Sequence, residues 1–203
     1  MINAANNRLS QQIRFLVEAD KLKAVSRRTP LVDGSRLENS AEHSWHLVLT
    51  AMILRQYSAM AIDLLRVLEM VAVHDLVEID AGDTFAYDTA GQLTKTEREA
   101  AAAERVFGLL PEDQRQHVAE LWDEFEAQQS PESRFANALD RLQPLLQNAH
   151  AGGGSWMTHD LHRDQILKRM APVESAMPDL WPIVVGVIDA FCADGTIAPS
   201  RSS

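Results

Sequence analysis

The chain has 203 residues, 46% hydrophobic and 24% charged, with a formal charge of −10 at pH 7 and a single cysteine, Cys192. That length suits one domain with one sizeable core, and no run approaches the ~18 apolar residues of a membrane span. The acid excess argues against a duplex nucleic-acid binder, whose affinity comes from clustered Lys and Arg, and a lone cysteine excludes an internal disulfide and any thiolate metal cage, so a metal here needs nitrogen and oxygen ligands.

Residues 1–12 are polar, with no apolar stretch after a basic start. No secretory leader is therefore expected, and residence in the cytoplasm follows. Beyond them apolar residues recur at helical spacing nearly throughout, without β-branched runs flanked by hairpin turns. The expected fold is all-α: a single-domain helical bundle over 1–203, with its core at about 7–193 and a frayed tail at 199–203. Helices are expected over 7–24, 40–56, 62–79, 95–109, 112–128, 131–150, 159–169 and 173–192. Pro111 and Pro131 stand where a first helical turn tolerates a missing N–H, and Gly152, Gly153 and Gly154 give a connector its backbone freedom. Two polar connections, 25–39 and 80–94, are longer than a bundle requires, and such loops often carry function.

In the helix expected from Ser40, His43 shares a face with Leu47, Thr50 and Leu54 and so looks inward. Asn39 with Glu42 three residues later resembles a capping box, the bland reading of Glu42. Taken alone, His43 reads as a core histidine with a satisfied hydrogen bond. The next helix changes that. At 3.6 residues per turn, Asp75 and Glu78 lie within ~40° of the Leu64/Leu68/Val71 stripe and His74 lies at its edge. Buried carboxylates are costly unless paired or bound to a metal, and this trio contains no Lys or Arg. A cation is the economical solution.

Glu42-His43-Ser44, then His74-Asp75-Leu76-Val77-Glu78 with Gly82-Asp83 just after, then Asn137-Ala138-Leu139-Asp140, resembles the HD-domain metal-dependent phosphohydrolases, most nearly their 5′-deoxynucleotidase branch. The resemblance runs from about Leu16 to Phe191. It implies one divalent metal on His43, His74, Asp75 and Asp140. Periodicity would not find Asp140, which falls ~140° from the Phe135/Leu139/Leu142/Leu146 stripe and reads unaided as a solvated acid. Mixed imidazole and carboxylate ligands suit Mn²⁺, Co²⁺, Fe²⁺, Ni²⁺ or Zn²⁺ rather than Ca²⁺. Such an ion polarises a phosphoryl oxygen and lowers the pKa of bound water toward ~7.

By the same resemblance Glu78 orients or deprotonates that water, the alternative being a simple brace for a ligand. Asp83 matches an aspartate expected near the sugar or leaving oxygen, the alternative being an Asx turn with Gly82. Arg28, fifteen residues before His43, falls at the phosphate-binding position, where a guanidinium fork suits a phosphate. Thr29 follows where the branch often has an aromatic, a departure that leaves the family intact and the branch's deoxynucleotide specificity open. Arg36 reads as paired with Asp33 or Glu38, and His46 as packing rather than ligation. Gly152-Gly153-Gly154-Ser155 lacks the context of a P-loop, His159 and His162 read as a surface pair, and Trp156 reads as packing.

The implied activity is a metal-dependent phosphomonoesterase that converts (deoxy)nucleoside 5′-monophosphates to nucleoside and phosphate. The alternatives are another phosphate ester or phosphodiester, or an idle HD-like domain that binds metal or nucleotide. The implied partner is a small phosphate ester, not duplex nucleic acid or membrane, with a homodimer expected by family analogy.

Overall fold

The computed structural model of the chain describes residues 7–159 and 161–200, and the fold is all-α. The helices are α1 (Arg8–Ala19), α2 (Ser40–Leu54), α3 (Leu64–Val73), α4 (Glu78–Ala81), α5 (Thr89–Phe107), α6 (Glu112–Ala127), α7 (Pro131–His150), α8 (Arg163–Ala176) and α9 (Trp181–Ala193). Among the described residues no helix is long and apolar enough to cross a membrane. Of the tail expected to fray, residues 201–203 lie outside the described residues, as do 1–6 of the polar start.

Caps set the starts of the helices that matter for the site. Asn39 accepts from the Glu42 N–H at 2.9 Å while the Glu42 side chain accepts from the Asn39 N–H at 3.2 Å, which completes the expected capping box of α2. Asp88 caps α5, so that helix begins at Thr89 rather than near 95 as the periodicity implied. Pro131 occupies the first turn of α7 and Ser130 accepts from the Ser133 N–H.

Three expectations are corrected by packing. The helix read over 62–79 is broken: α3 stops at Val73, and residues 74–77 continue as tighter turns before α4. The break at 170–172 is absent, because the buried face of Ile166, Met170, Val173 and Ala176 carries α8 through Pro172 despite the lost donor. The loop 25–39 contains a two-stranded antiparallel sheet, β1 (Ser26–Pro30) and β2 (Leu37–Asn39), pairing Ser26 with Asn39 and Pro30 with Leu37. Its strands are too short and polar to show as alternating apolar runs.

Burial falls in two clusters. The larger gathers Leu47 of α2, Met70 and Val71 of α3, Phe135 and Leu139 of α7, Val173 of α8 and Ile188 of α9. The smaller gathers Leu22, Leu76, Val77, Val106 and Phe107. His74 and Asp75 lie in sequence between residues committed to one cluster and residues committed to the other, so the polar pair is drawn inside. Helix α7 packs against α2, α3, α6, α8 and α9, and Ser133, Asn137, Gln143 and Gln147 are as buried as its apolar residues.

Candidate metal centre

Helices α2 and α7 and the turn that follows α3 carry the four expected ligands. Ligand atoms of His43, His74 and Asp75 all lie within 4.8 Å of one another, and all three residues are buried. Asp140 stands outside that tight triplet, with its Oδ1 3.0 Å from His43 Nε2 and 4.0 Å from His74 Nε2. The wheel prediction that Asp140 is a solvated acid is corrected: its side chain is 18% exposed. A wheel presumes one wet face, and α7, packed on five helices, does not offer one on that side.

Each imidazole is oriented by its other nitrogen. His43 Nδ1 donates to Gln143 Oε1 at 2.9 Å and His74 Nδ1 donates to the Val71 carbonyl at 3.0 Å, so both rings turn Nε2 toward the carboxylates. Among the described residues His74 Nε2 is buried without a hydrogen-bond partner, 3.0 Å from Asp75 Oδ1. A buried lone pair left unmatched beside a carboxylate is what a cation would satisfy, and the nitrogen and oxygen donors suit a borderline divalent ion.

The turn after α3 sets the next carboxylate. Leu76 N–H bonds to the Val73 carbonyl at 3.1 Å and Glu78 N–H to the Asp75 carbonyl at 2.9 Å, a three-residue pitch that brings Glu78 over Asp75. Glu78 is buried, and its Oε2 accepts from Ser40 Oγ at 2.6 Å. Burial, then the nearby Asp75 charge, raises its pKa well above the usual carboxylate value against the pull of Arg27. Asp83 follows Gly82, whose φ of 72° suits glycine. Burial raises the Asp83 pKa, and Arg27 opposes the rise.

Sequence reasoning passed over Arg27. Alternation along β1 turns Arg27 inward and leaves Arg28 exposed. Arg27 Nη1 donates to Asp75 Oδ2 at 3.1 Å and its Nε is 3.6 Å from Glu38. Burial works against its charge, but Asp75, Asp140, Glu78 and Asp83 outweigh burial and hold it protonated. Glu38, Gln143 and Gln147 were missed as well. Gln143 Nε2 donates to Glu38 Oε1 at 2.8 Å and Gln147 Nε2 to the same oxygen at 2.7 Å. Burial and Arg27 oppose protonation of His43, yet Asp140, Glu38 and Asp75 raise its pKa to about 9. Burial likewise opposes the Asp140 charge, but His43, His74 and Arg27 hold its pKa well below the usual range.

Beside this cluster opens a pocket lined by Arg28, buried Thr29, Asp83, Phe85, Tyr87 and Arg141, among others. Arg36 stays outside the cluster: it pairs with Glu42 at 2.6 Å, not with Asp33 or Glu38. His46 packs near Gln143, with 3.1 Å between His46 Nδ1 and Gln143 Nε2. Trp156 is buried edge-on against Phe191, as packing predicts. His159 stacks on Phe85 with ring centroids 4.3 Å apart, while His162 Nδ1 donates to the Pro199 carbonyl. The glycine connector leads into the pocket wall, and a Cβ on Gly154 would meet Asn148 Oδ1 at 2.3 Å.

Residues 19–181 match the HD domain family, a span that includes all four ligand candidates together with Glu78 and Asp83. The chain belongs to that family. Curated relatives include the 5′-deoxynucleotidase HDDC2 of Mus musculus, 32% identical over 136 residues covering 66% of this chain and 67% of the relative. The Homo sapiens protein of the same name is 31% identical and covers 66% and 65%. The chain thus spans about two thirds of the length of these relatives. A solved structure from Magnetospirillum magnetotacticum, described as a predicted metal-dependent phosphohydrolase, is 45% identical with a TM-score of 0.91, covering 98% of this chain and 100% of that one.

Proposed function

We propose that this HD domain protein is a metal-dependent phosphomonoesterase that hydrolyses (deoxy)nucleoside 5′-monophosphates to nucleoside and inorganic phosphate. The observation that carries the reading is the buried His43, His74 and Asp75 cluster, with His74 Nε2 unmatched and a cation-lined pocket beside it. The names of the mouse and human relatives support the substrate class.

A divalent ion held by His43, His74, Asp75 and Asp140 (Mn²⁺, Co²⁺, Fe²⁺, Ni²⁺ or Zn²⁺) would supply positive charge at the phosphoryl oxygens and acidify water. Arg28 binds the remaining phosphate oxygens through its fork. Glu78, its Oε2 fixed by Ser40, leaves Oε1 to orient the attacking water and take its proton. The water oxygen bonds to phosphorus, the ester P–O bond breaks, and Asp83 delivers a proton to the leaving oxygen. Thr29 lines the sugar end with less surface than an aromatic would. Catalysis is then positioning plus charge stabilisation. One domain, cytoplasmic residence and a homodimer complete the reading.

The test is phosphate release from a nucleotide panel by metal-stripped protein with each divalent ion added back. Monophosphates should be the substrates, and turnover should return only with metal; no release with any ion would overturn the reading. A second reading, an idle domain that uses metal for folding, is separated by Glu78→Gln. We expect turnover to fall by ~10²-fold or more with metal content, read by elemental analysis, unchanged.

A further inference from the structure

The pocket beside the metal cluster does not end at Arg28. Its cavity volume is about 80 Å³, and it continues past Tyr87 and Arg141 into an adjoining groove of about 430 Å³. Small-molecule sites run to ~300–1,000 Å³, so the enclosed inner part falls below that range and the groove falls within it. A nucleotide bound at the cluster has the adjoining groove to extend into.

The groove has the opposite electrical character to the chain. The sequence carries 29 acids against 19 Lys and Arg, yet Arg141, Lys168 and Arg169 line the groove and no carboxylate does among the described residues. Arg141 is anchored at the inner end, where Nη1 donates to the Asn137 carbonyl at 2.8 Å and to Asn137 Oδ1 at 3.0 Å, and lies 3.8 Å from Asp140. Lys168 and Arg169 are the last positively charged residues on α8, and neither side chain makes a hydrogen bond or ion pair among the described residues. Lys168 and Arg169 sit side by side on a wall with no lining carboxylate, whereas Arg141 is partly offset by Asp140, so the two adjacent like charges cost free energy in the absence of an anion. An arriving phosphate recovers it through charge-assisted hydrogen bonds.

We infer that Arg141, Lys168 and Arg169 form a second phosphate subsite, so that a 5′-nucleotide carrying a further phosphate on its sugar is hydrolysed at the same 5′-ester with a lower KM than the plain monophosphate. This rests on the phosphomonoesterase reading and deepens it. The second phosphate is attached to the sugar away from the scissile ester, as in a nucleoside 3′,5′-bisphosphate; a nucleoside 5′-diphosphate, whose terminal phosphate leaves from an anhydride, serves as the contrast.

The test compares kcat and KM for a 5′-monophosphate, the 3′,5′-bisphosphate and the 5′-diphosphate of one nucleoside, with metal-loaded wild type, Arg169→Met and Lys168→Gln. The bisphosphate should show a KM about tenfold or more below that of the monophosphate, and the diphosphate should show no such gain. That preference, taken as a ratio of kcat/KM values, should fall at least tenfold in Arg169→Met and severalfold in Lys168→Gln, whose exposed side chain removes the concern of misfolding. Equal KM values for the monophosphate and the bisphosphate, or a preference that survives both substitutions, would overturn the subsite. Should no compound release phosphate, the enzymatic reading fails separately. Calorimetry then decides the subsite: tighter binding of the bisphosphate, lost in Arg169→Met, upholds it, and equal or absent binding overturns it.

Discussion

Arg27 shows best how charge is balanced inside this protein. Its guanidinium stands between Asp75 and Glu38, both buried. Removing one partner from a buried ionic group leaves the others uncompensated, at a cost of ~3–5 kcal/mol. Arg27→Met should therefore lower the melting temperature sharply, and chemical denaturation will measure it; a change within error would show that the carboxylates are neutral without it. His43 gives a pH prediction. Its pKa of about 9 in protein stripped of metal lies above the 6.5 of an unfolded histidine. The folded state then holds the extra proton, so this stabilisation, ~3 kcal/mol at most, is complete below pH 6.5 and is lost as pH rises through 9. A metal must displace that proton, so metal affinity should climb by roughly tenfold per pH unit across that window. Competition titrations with a chelator at several pH values will read the slope, and a flat profile would contradict the proton on His43. The sequence displayed His43, His74 and Asp75 through burial of unpaired polar groups, whereas Asp140 came only from family resemblance. Arg27 stayed hidden because its partners lie far along the chain and the strand that aims it is too short to reveal its alternation.

At the scale of elements, α2 depends on its first turn. The Asn39–Glu42 box satisfies backbone donors at the end from which His43 projects. Asn39→Ala should cost ~1 kcal/mol, visible in denaturant midpoints, and should weaken metal binding by loosening that turn. Unaltered metal affinity would mean that α7 alone holds His43 in place. Helix positions were legible wherever an apolar stripe met a cap, as for α2 and α7, or a proline, as for α6. What escaped was governed by tertiary contact. The turn at 74–77 satisfies two hydrophobic clusters at once, and α8 ignores Pro172 because its buried face is continuous. Neither preference is local, so no window of sequence records it.

For the whole molecule the unexplained surface is the outward side of α2. Trp45, Leu49, Met52 and Ile53 recur at one-turn spacing and are 66%, 42%, 53% and 64% exposed. A contiguous apolar face of this kind marks an interaction site, and a second copy of the chain is the occupant our functional reading proposes. Sedimentation should show a dimer that Trp45→Ser shifts toward monomer; a wild-type monomer at all concentrations would remove the homodimer from the reading. Asn39 also ties together parts of the molecule that seem separate. It is the ladder partner of Ser26 in β1 and the cap of α2, so one residue serves as the common datum for the arginine pair and for the first histidine. A slip of the hairpin by one position would exchange the inward and outward guanidiniums and at the same time tilt the imidazole. The spacing between the arginine pair and His43 is thus gauged by a single joint, and damage there would register at both ends together.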